Sequence, residues 1–248
     1  MQDSTIFLSD DKIFYTIEGE GEFAGIPSVF MRLSMCNLTC QGFKSADAPY
    51  GCDSFVSWSV KNKYTVNEIL DYLKEKGYDK RLTGGAIWKL TGGEPLIQQN
   101  KLLDLVEAFV ERHGVTPIID FETNATIMPR EEWVNKYKAT FTTSPKLANN
   151  GDAADKRYKP EVLNWHARNG SGFKFVISKQ EDLDEVFSNY IDAPDIRVPR
   201  NRVWLMPCCG SRAELTEKAA MVAELCKEHM FNFSPRLQLV IWDKALKV

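Results

Sequence analysis

The sequence predicts an α/β fold built on a mostly parallel sheet. From about residue 65 onward, helix-like and strand-like segments alternate, and strands separated by a dozen or more residues of helix pair in parallel. Each expected strand ends in a polar or glycine-bearing loop, as in sheets that gather their chemistry at the carboxyl ends of the strands. No low-complexity tract, repeat or Pro/Gly/Ser linker divides the 248 residues. One domain spanning residues 1–248 is therefore expected, either as an open sheet or as a partial barrel.

The elements follow in order. Thr65 opens an amphipathic helix with Val66, Ile69, Leu70 and Leu73 on one face. Glu68 stands at its third position, the arrangement of a capping box, and Gly77 marks its end. A strand at 86–91 leads through Gly-Gly-Glu-Pro into a helix whose Leu102, Leu103, Leu105, Val106 and Phe109 form an apolar stripe, stopped by Gly114. Further strands are expected at 117–122, 139–143, 173–177 and 203–206, and further helices at 130–137, 161–168, 183–190 and 213–228. A last strand is expected at 237–242.

Composition narrows the function classes. With 31 Lys+Arg against 34 Asp+Glu the net charge is −3, so no basic field exists to hold nucleic acid directly. No apolar run reaches the length of a membrane span and the first residues lack a signal-peptide layout, so a cytoplasmic protein with no membrane partner is expected. Six cysteines in a reducing compartment read as thiols or metal ligands rather than disulfides. Cys36, Cys40 and Cys52 fall within 17 residues, whereas Cys208, Cys209 and Cys226 lie far downstream.

The first three cysteines carry three readings. Three thiolates on one loop can hold an iron–sulfur cluster and leave one iron without a protein ligand. A structural zinc site needs a fourth Cys or His, and His113, His166 and His229 are all distant in sequence. Buried free thiols are the third reading, because cysteine packs as a small hydrophobe. Gly92 and Gly93, directly after a strand, let a ligand approach the backbone, with Glu94 able to receive a positive group. Taken alone, those residues read more simply as a tight turn with a surface carboxylate.

Eight segments, in order, carry a more specific signal: FYTIEGEGEFAGIPSVFMRLSMCNLTC, CDSFVSW, KLTGGEPL, FETNAT, TTSPK, FKFVIS, LMPCCG and SPRLQLVIW. Together they resemble the radical S-adenosylmethionine enzymes, and within them the 7-carboxy-7-deazaguanine synthase family, from Phe14 to Trp242. The resemblance implies a partial (β/α) barrel of the radical S-adenosylmethionine type. It implies a [4Fe–4S] cluster on Cys36, Cys40 and Cys52, with S-adenosylmethionine completing the fourth iron. The radical would then come from the cofactor, with no catalytic side chain of the protein's own. Gly51, Asp53, Gly92, Gly93 and Glu94, then Ser144, Pro145 and Lys146, then Met206, Pro207, Cys208 and Cys209 resemble the cofactor-binding positions.

The substrate implied is 6-carboxy-5,6,7,8-tetrahydropterin, converted to 7-carboxy-7-deazaguanine with release of ammonia, a lyase reaction on the way to 7-deazaguanines such as queuosine. Arg32 resembles the clamp on the substrate carboxylate, a task suited to a planar bidentate donor. Ile17, Glu18, Gly19, Glu20 and Thr91 resemble the pterin-binding positions, and Ser54 the ligand of a substrate-contacting Mg2+ ion. A flavodoxin or ferredoxin as electron donor and a homodimer are also implied. The chain departs from the family pattern at three places: eleven residues, with Phe43 among them, separate Cys40 from Cys52 where two are usual; Glu18 replaces glutamine; and Ser54 replaces threonine. Gln238 falls near a frequent histidine. Two rival readings remain, a glycyl-radical-enzyme activase and a non-catalytic metal- or Fe–S-binding module. The E-G-E-G stretch and Arg32 count against the first, and the loops beyond the cysteines against the second.

Overall fold

The computed structural model describes residues 4–41, 52 and 59–243. Two long strands, β1 (Thr5–Ile17) and β2 (Pro27–Leu33), open the chain as an antiparallel hairpin whose register shifts between Leu8 and Ile13. β3 (Asn62–Thr65) adds to the outer edge of β1, also antiparallel. Every later strand is parallel to its neighbour: β4 (Ile87–Gly92), β5 (Ile118–Thr123), β6 (Thr140–Thr143), β7 (Gly172–Ile177), β8 (Val203–Pro207) and the two-residue β9 (Asn232–Phe233). The order β3-β1-β2-β4-β5-β6-β7-β8-β9 leaves β3 and β9 as separate edges of an open, mostly parallel α/β sheet.

The two faces of this sheet differ because side chains alternate along each strand. One face carries Trp88, Leu90, Ile119, Phe121, Phe141, Phe173, Phe175 and Leu205, all buried. Against it pack α1 (Val66–Glu75), α3 (Gln99–His113), α4 (Glu131–Asn135), α6 (Pro160–Arg168), α7 (Gln180–Val186) and α8 (Arg212–His229), through two apolar clusters. Ring contacts bind the layers: Trp88 to Phe109 at 5.3 Å and Phe121 to Trp133 at 4.7 Å between centroids. The other face is polar and forms the site below. No described helix is long and apolar enough to cross a membrane.

Most expected elements are present within a residue or two. The capping box at Thr65 forms as read, with Thr65 N–H donating to Glu68 at 2.7 Å and Glu68 N–H donating to the Thr65 hydroxyl at 3.2 Å. The helix expected at 183–190 stops as α7 at Val186 and continues as one π turn, Phe187–Ile191. The short helices α2 (Tyr78–Thr83) and α5 (Ala154–Arg157) were not expected. The last strand is a correction: Leu237–Trp242 is helix α9, and β9 lies upstream of it. Its apolar run imitates a strand, but only Leu239 is buried while Val240 and Ile241 stay exposed, so nothing there has the pairing partner a strand needs.

Candidate functional site

The polar face of the sheet carries charged or hydroxyl side chains at alternate positions of strands otherwise rich in apolar residues: Lys89 and Thr91 on β4, Asp120 and Glu122 on β5, Thr140 and Thr142 on β6, and Lys174 on β7. Buried charges must be paired, and here they are paired in two layers. In the lower one, Lys89 Nζ lies 2.7 Å from both Asp120 and Glu18, and Thr142 donates to Asp120 at 3.0 Å. In the upper one, Lys174 Nζ lies 2.6 Å from both Glu20 and Glu122, and the Thr91 hydroxyl donates to Glu122 at 3.1 Å.

Burial and these pairings set the protonation of each group. Burial alone would lower the Lys89 and Lys174 ammonium groups, but the facing carboxylates outweigh it and hold both above the ordinary lysine value. Burial raises the Glu18 carboxyl more than Lys89 lowers it. At Glu20 the opposing charges of Lys174 and Arg236 overcome burial and hold the carboxyl well below its usual range. Lys174 and Lys89 do the same for Glu122, bringing it to about 2.

Two connecting segments cover this face. After β1, the turn at residues 18–20 is closed by Glu18, whose side chain accepts from the N–H groups of Gly19 and Glu20 at 2.9 and 3.1 Å. After β9, the residues that open α9 reach back to it. Arg236 Nε and Gln238 Nε2 donate to Glu20 Oε1 at 2.9 and 2.7 Å, and the Leu237 N–H donates to the Gly19 carbonyl at 3.0 Å. Arg236 also donates to the Cys209 carbonyl, which joins the loop after β8 to the same knot. Near the carboxyl end of β2, Arg32 stands beside Thr91 in register, its guanidinium 5.3 Å from the Phe14 ring centroid.

The Gly92-Gly93 turn has a reason visible only in three dimensions. It lies directly on the root of the cysteine loop, with Gly93 N–H donating to Leu33 O at 2.9 Å and Glu94 N–H donating to Met35 O at 2.8 Å. A Cβ on Gly92 would overlap the Leu33 backbone, and one on Gly93 the Met35 carbonyl. The close approach is therefore to the chain itself. The Glu94 carboxylate is fully buried and turned inward, accepting from Leu96 N–H, Thr123 Oγ1 and Asn124 N–H at 3.0, 2.9 and 2.7 Å. Burial raises its pKa to about 7 against those donors.

Beyond that turn, residues 36–41 are pinned between two strand-end loops. Asn37 Nδ2 donates to Thr126 at 2.8 Å, and Thr39 donates through its N–H and hydroxyl to Asp152 at 3.0 and 2.8 Å. Asn124 Nδ2 lies 4.0 Å from Cys36 Sγ, and Asn150 Nδ2 donates to Cys40 Sγ at 3.4 Å. Burial pushes the Cys36 thiol up to about 11.

The chain matches no protein-family model. It is 30% identical to the 7-carboxy-7-deazaguanine synthase of Hyperthermus butylicus over 93% of this chain and 91% of that protein. It is likewise 30% identical to the protein of that name from Halobacterium salinarum, over 96% and 91% of the two chains. The chain belongs to the 7-carboxy-7-deazaguanine synthase family. Its fold also matches the crystal structure of QueE from Escherichia coli with a TM-score of 0.60 and 21% identity, over 93% of each chain.

Set against that family, the structure brings most of the expected site residues to one place and leaves others apart. Ile17, Glu18, Gly19, Glu20, Arg32 and Thr91 lie along one rim of the polar face. Gly92, Gly93, Ser144, Pro145, Lys146, Met206 and Pro207 sit at strand ends; Ser144 N–H donates to the Thr123 carbonyl at 2.7 Å, and Lys146 Nζ to Ser144 Oγ at 3.0 Å. Cys208 is half-buried, but the Cys209 thiol is fully buried and packs with Leu215 and Leu239, so Cys209 reaches the site only through its carbonyl. Gly51, Asp53, Ser54 and Phe43 lie outside the described residues. Among the described residues no three Cys, His, Asp or Glu side chains stand close enough together to hold a metal ion. The chemistry of Cys36 and Cys40, which share the short loop, still fits a cluster, since both are half-buried thiols facing side-chain amide donors.

Sequence reading missed Lys89, Asp120, Glu122, Lys174 and Arg236. A signal existed for the first four. IWKLT, IIDFET and FKFVI each place a charge inside a run apolar enough to be buried on both faces.

Proposed function

We propose that the chain is a 7-carboxy-7-deazaguanine synthase that converts 6-carboxy-5,6,7,8-tetrahydropterin to 7-carboxy-7-deazaguanine and ammonia. The observation that carries this reading is the docking of the Gly92-Gly93 turn on residues 33–36, which sets the cysteine loop beside a charged, partly enclosed sheet face. Cys36, Cys40 and Cys52 would hold a [4Fe–4S] cluster that, with S-adenosylmethionine bound, supplies a 5′-deoxyadenosyl radical. The chain's own residues bind and orient. Arg32 takes the substrate carboxylate, Thr91 and the backbone of residues 17–20 face the pterin, and the strand-end loops at Gly92, Ser144 and Met206 receive the cofactor. Glu94 holds the turn through three donors of its own chain, two on Oε1 and one on Oε2, and the remaining acceptor position on Oε2 would receive the cofactor amine. A magnesium ion at Ser54, an external flavodoxin or ferredoxin type donor and a homodimer complete the proposal.

The test is an anaerobic assay of the cluster-loaded chain with reductant, S-adenosylmethionine and the carboxytetrahydropterin, read by mass spectrometry. The expected result is 7-carboxy-7-deazaguanine and ammonia, formed without a matching build-up of 5′-deoxyadenosine because substrate and product differ by ammonia alone, with turnover raised by magnesium. Cofactor cleavage without any pterin turnover would overturn the substrate assignment and favour an activase. A chain that takes up no cluster would overturn the radical chemistry altogether.

A further inference from the structure

The loop after β6 does more than connect. Asn150 closes the 3-10 turn Ala148–Asn150 and is 7% exposed, with every polar atom of its amide assigned. Its Oδ1 accepts from Asp152 N–H at 2.9 Å, and one Nδ2 hydrogen goes to Asp152 Oδ2 at 3.0 Å. The other faces Cys40 Sγ, 3.4 Å from nitrogen to sulfur. The amide cannot turn without breaking two bonds to Asp152, and Asp152 is itself held by both donors of Thr39. The backbone repeats the docking, since the Asn150 carbonyl accepts from Gln41 N–H at 2.7 Å. Gly151, at φ 87°, passes so close to the Gln41 side chain that a Cβ there would overlap it.

Behind this loop stands a second brace. Arg157 donates to the Asp152 and Lys146 carbonyls at 3.2 and 3.0 Å and pairs with Glu185 at 2.5 Å, while Glu185 accepts from Ala148 N–H at 2.7 Å. The donor aimed at Cys40 is thus fixed in place before any ligand arrives. Asn124 is oriented in a similar way by Thr126 and Asn37, but at 4.0 Å from Cys36 its contact is the longer of the two.

We propose that Asn150 is a positioning residue for the iron–sulfur cluster, donating to the Cys40 sulfur a hydrogen bond that makes the cluster easier to reduce. The inference rests on Cys40 being a cluster ligand, as the proposed function has it. Hydrogen bonds to the ligating sulfurs are among the determinants of cluster potential, and second-layer partners of metal ligands tune the site they hold. Reduction adds negative charge at the iron and sulfur, and a donor to sulfur stabilises the reduced form more than the oxidised one. Removing the donor moves the potential down.

The experiment is a potentiometric titration with dithionite of the full chain, anaerobically loaded, following the reduced cluster by electron paramagnetic resonance, with iron and sulfide content measured in parallel. Asn150→Ala is expected to make reduction about tenfold less favourable, about 59 mV for one electron, at unchanged iron content. Thr126→Val, which releases the tie on the cysteine loop at Asn37 without touching Asn150 or Asp152, is expected to leave the potential where it was. If Asn150→Ala loads poorly, Asn150→Leu, of similar branched shape but without the donor and without added charge, is read instead and should shift in the same direction. A loaded Asn150 variant with the wild-type potential, or an equal shift in Thr126→Val, overturns the inference. An unaltered chain that takes up no cluster overturns the proposed function, and this inference with it.

Discussion

At Lys89 a cation with 2% of its side chain exposed lies 2.7 Å from two carboxylates, Glu18 and Asp120. Such a group is held by its partners, because removing one side of a buried ion pair leaves the other charged in a medium that cannot solvate it. Lys89→Met strands both carboxylates and is expected to cost about 3–5 kcal/mol in urea denaturation. Glu18→Gln leaves Asp120 to neutralise Lys89 and keeps an oxygen for the N–H groups of Gly19 and Glu20, so its loss should be clearly smaller. Equal losses in the two variants would show that Lys89 depends on Glu18 alone. The glutamate at position 18, a departure from the family's usual glutamine when read as sequence, is explained by this contact: its charge serves the lysine beneath it.

Among the elements, the Gly92-Gly93 turn at the end of β4 is the joint on which the cysteine loop rests. Gly93→Ala would drive a methyl group into the Met35 carbonyl, so the turn and the loop must separate. We expect lower iron retention after anaerobic loading and a loss of stability beyond the roughly 1 kcal/mol of an ordinary cap deletion such as Thr65→Ala. A Gly93→Ala chain with full iron content would show that the turn is merely adjacent. How much of this was legible depended on distance along the chain. The capping box needed only Thr65 and Glu68, three residues apart, and it was read correctly. The strand-to-helix rhythm was legible because each unit has its own periodicity. The run at 237–242 misled because its apolar content fits either structure and no described strand pairs with it, while Arg236 just before it hooks a side chain 216 positions away. No local pattern reports such a contact, nor the Asn150 approach to Cys40 across 110 positions.

At the scale of the whole molecule, the buried carboxylates give stability two limbs in pH. Glu20 and Glu122 ionise more readily when folded than at their ordinary value of 4.5, so their contribution is complete above that pH and is lost as pH falls, for Glu122 through about 2. Glu94 does the reverse: between 4.5 and about 7 the unfolded chain releases this proton while the folded one retains it, so stability falls as pH rises through that window and then levels. Burial holds the His166 imidazole down to about 3, so its contribution grows as pH rises toward 6.5 and opposes this limb. In urea denaturation of the cluster-free chain from pH 3 to 8, Glu94→Gln should therefore give a more positive slope than wild type between 4.5 and about 7. An unchanged slope in that variant would place the titration elsewhere. The contact between Glu20 and Arg236 also bears on how the molecule is made. Synthesis at ordinary rates separates the emergence of these two residues by about 10–40 s, and through that interval Glu20 is without its guanidinium partner. Helices and strands downstream of it have time to assemble, yet the wall of the site is finished only when the segment after β9 arrives. A chain stalled short of residue 236 would therefore carry most of its core while the polar face still lacked the Arg236 and Gln238 contacts to Glu20.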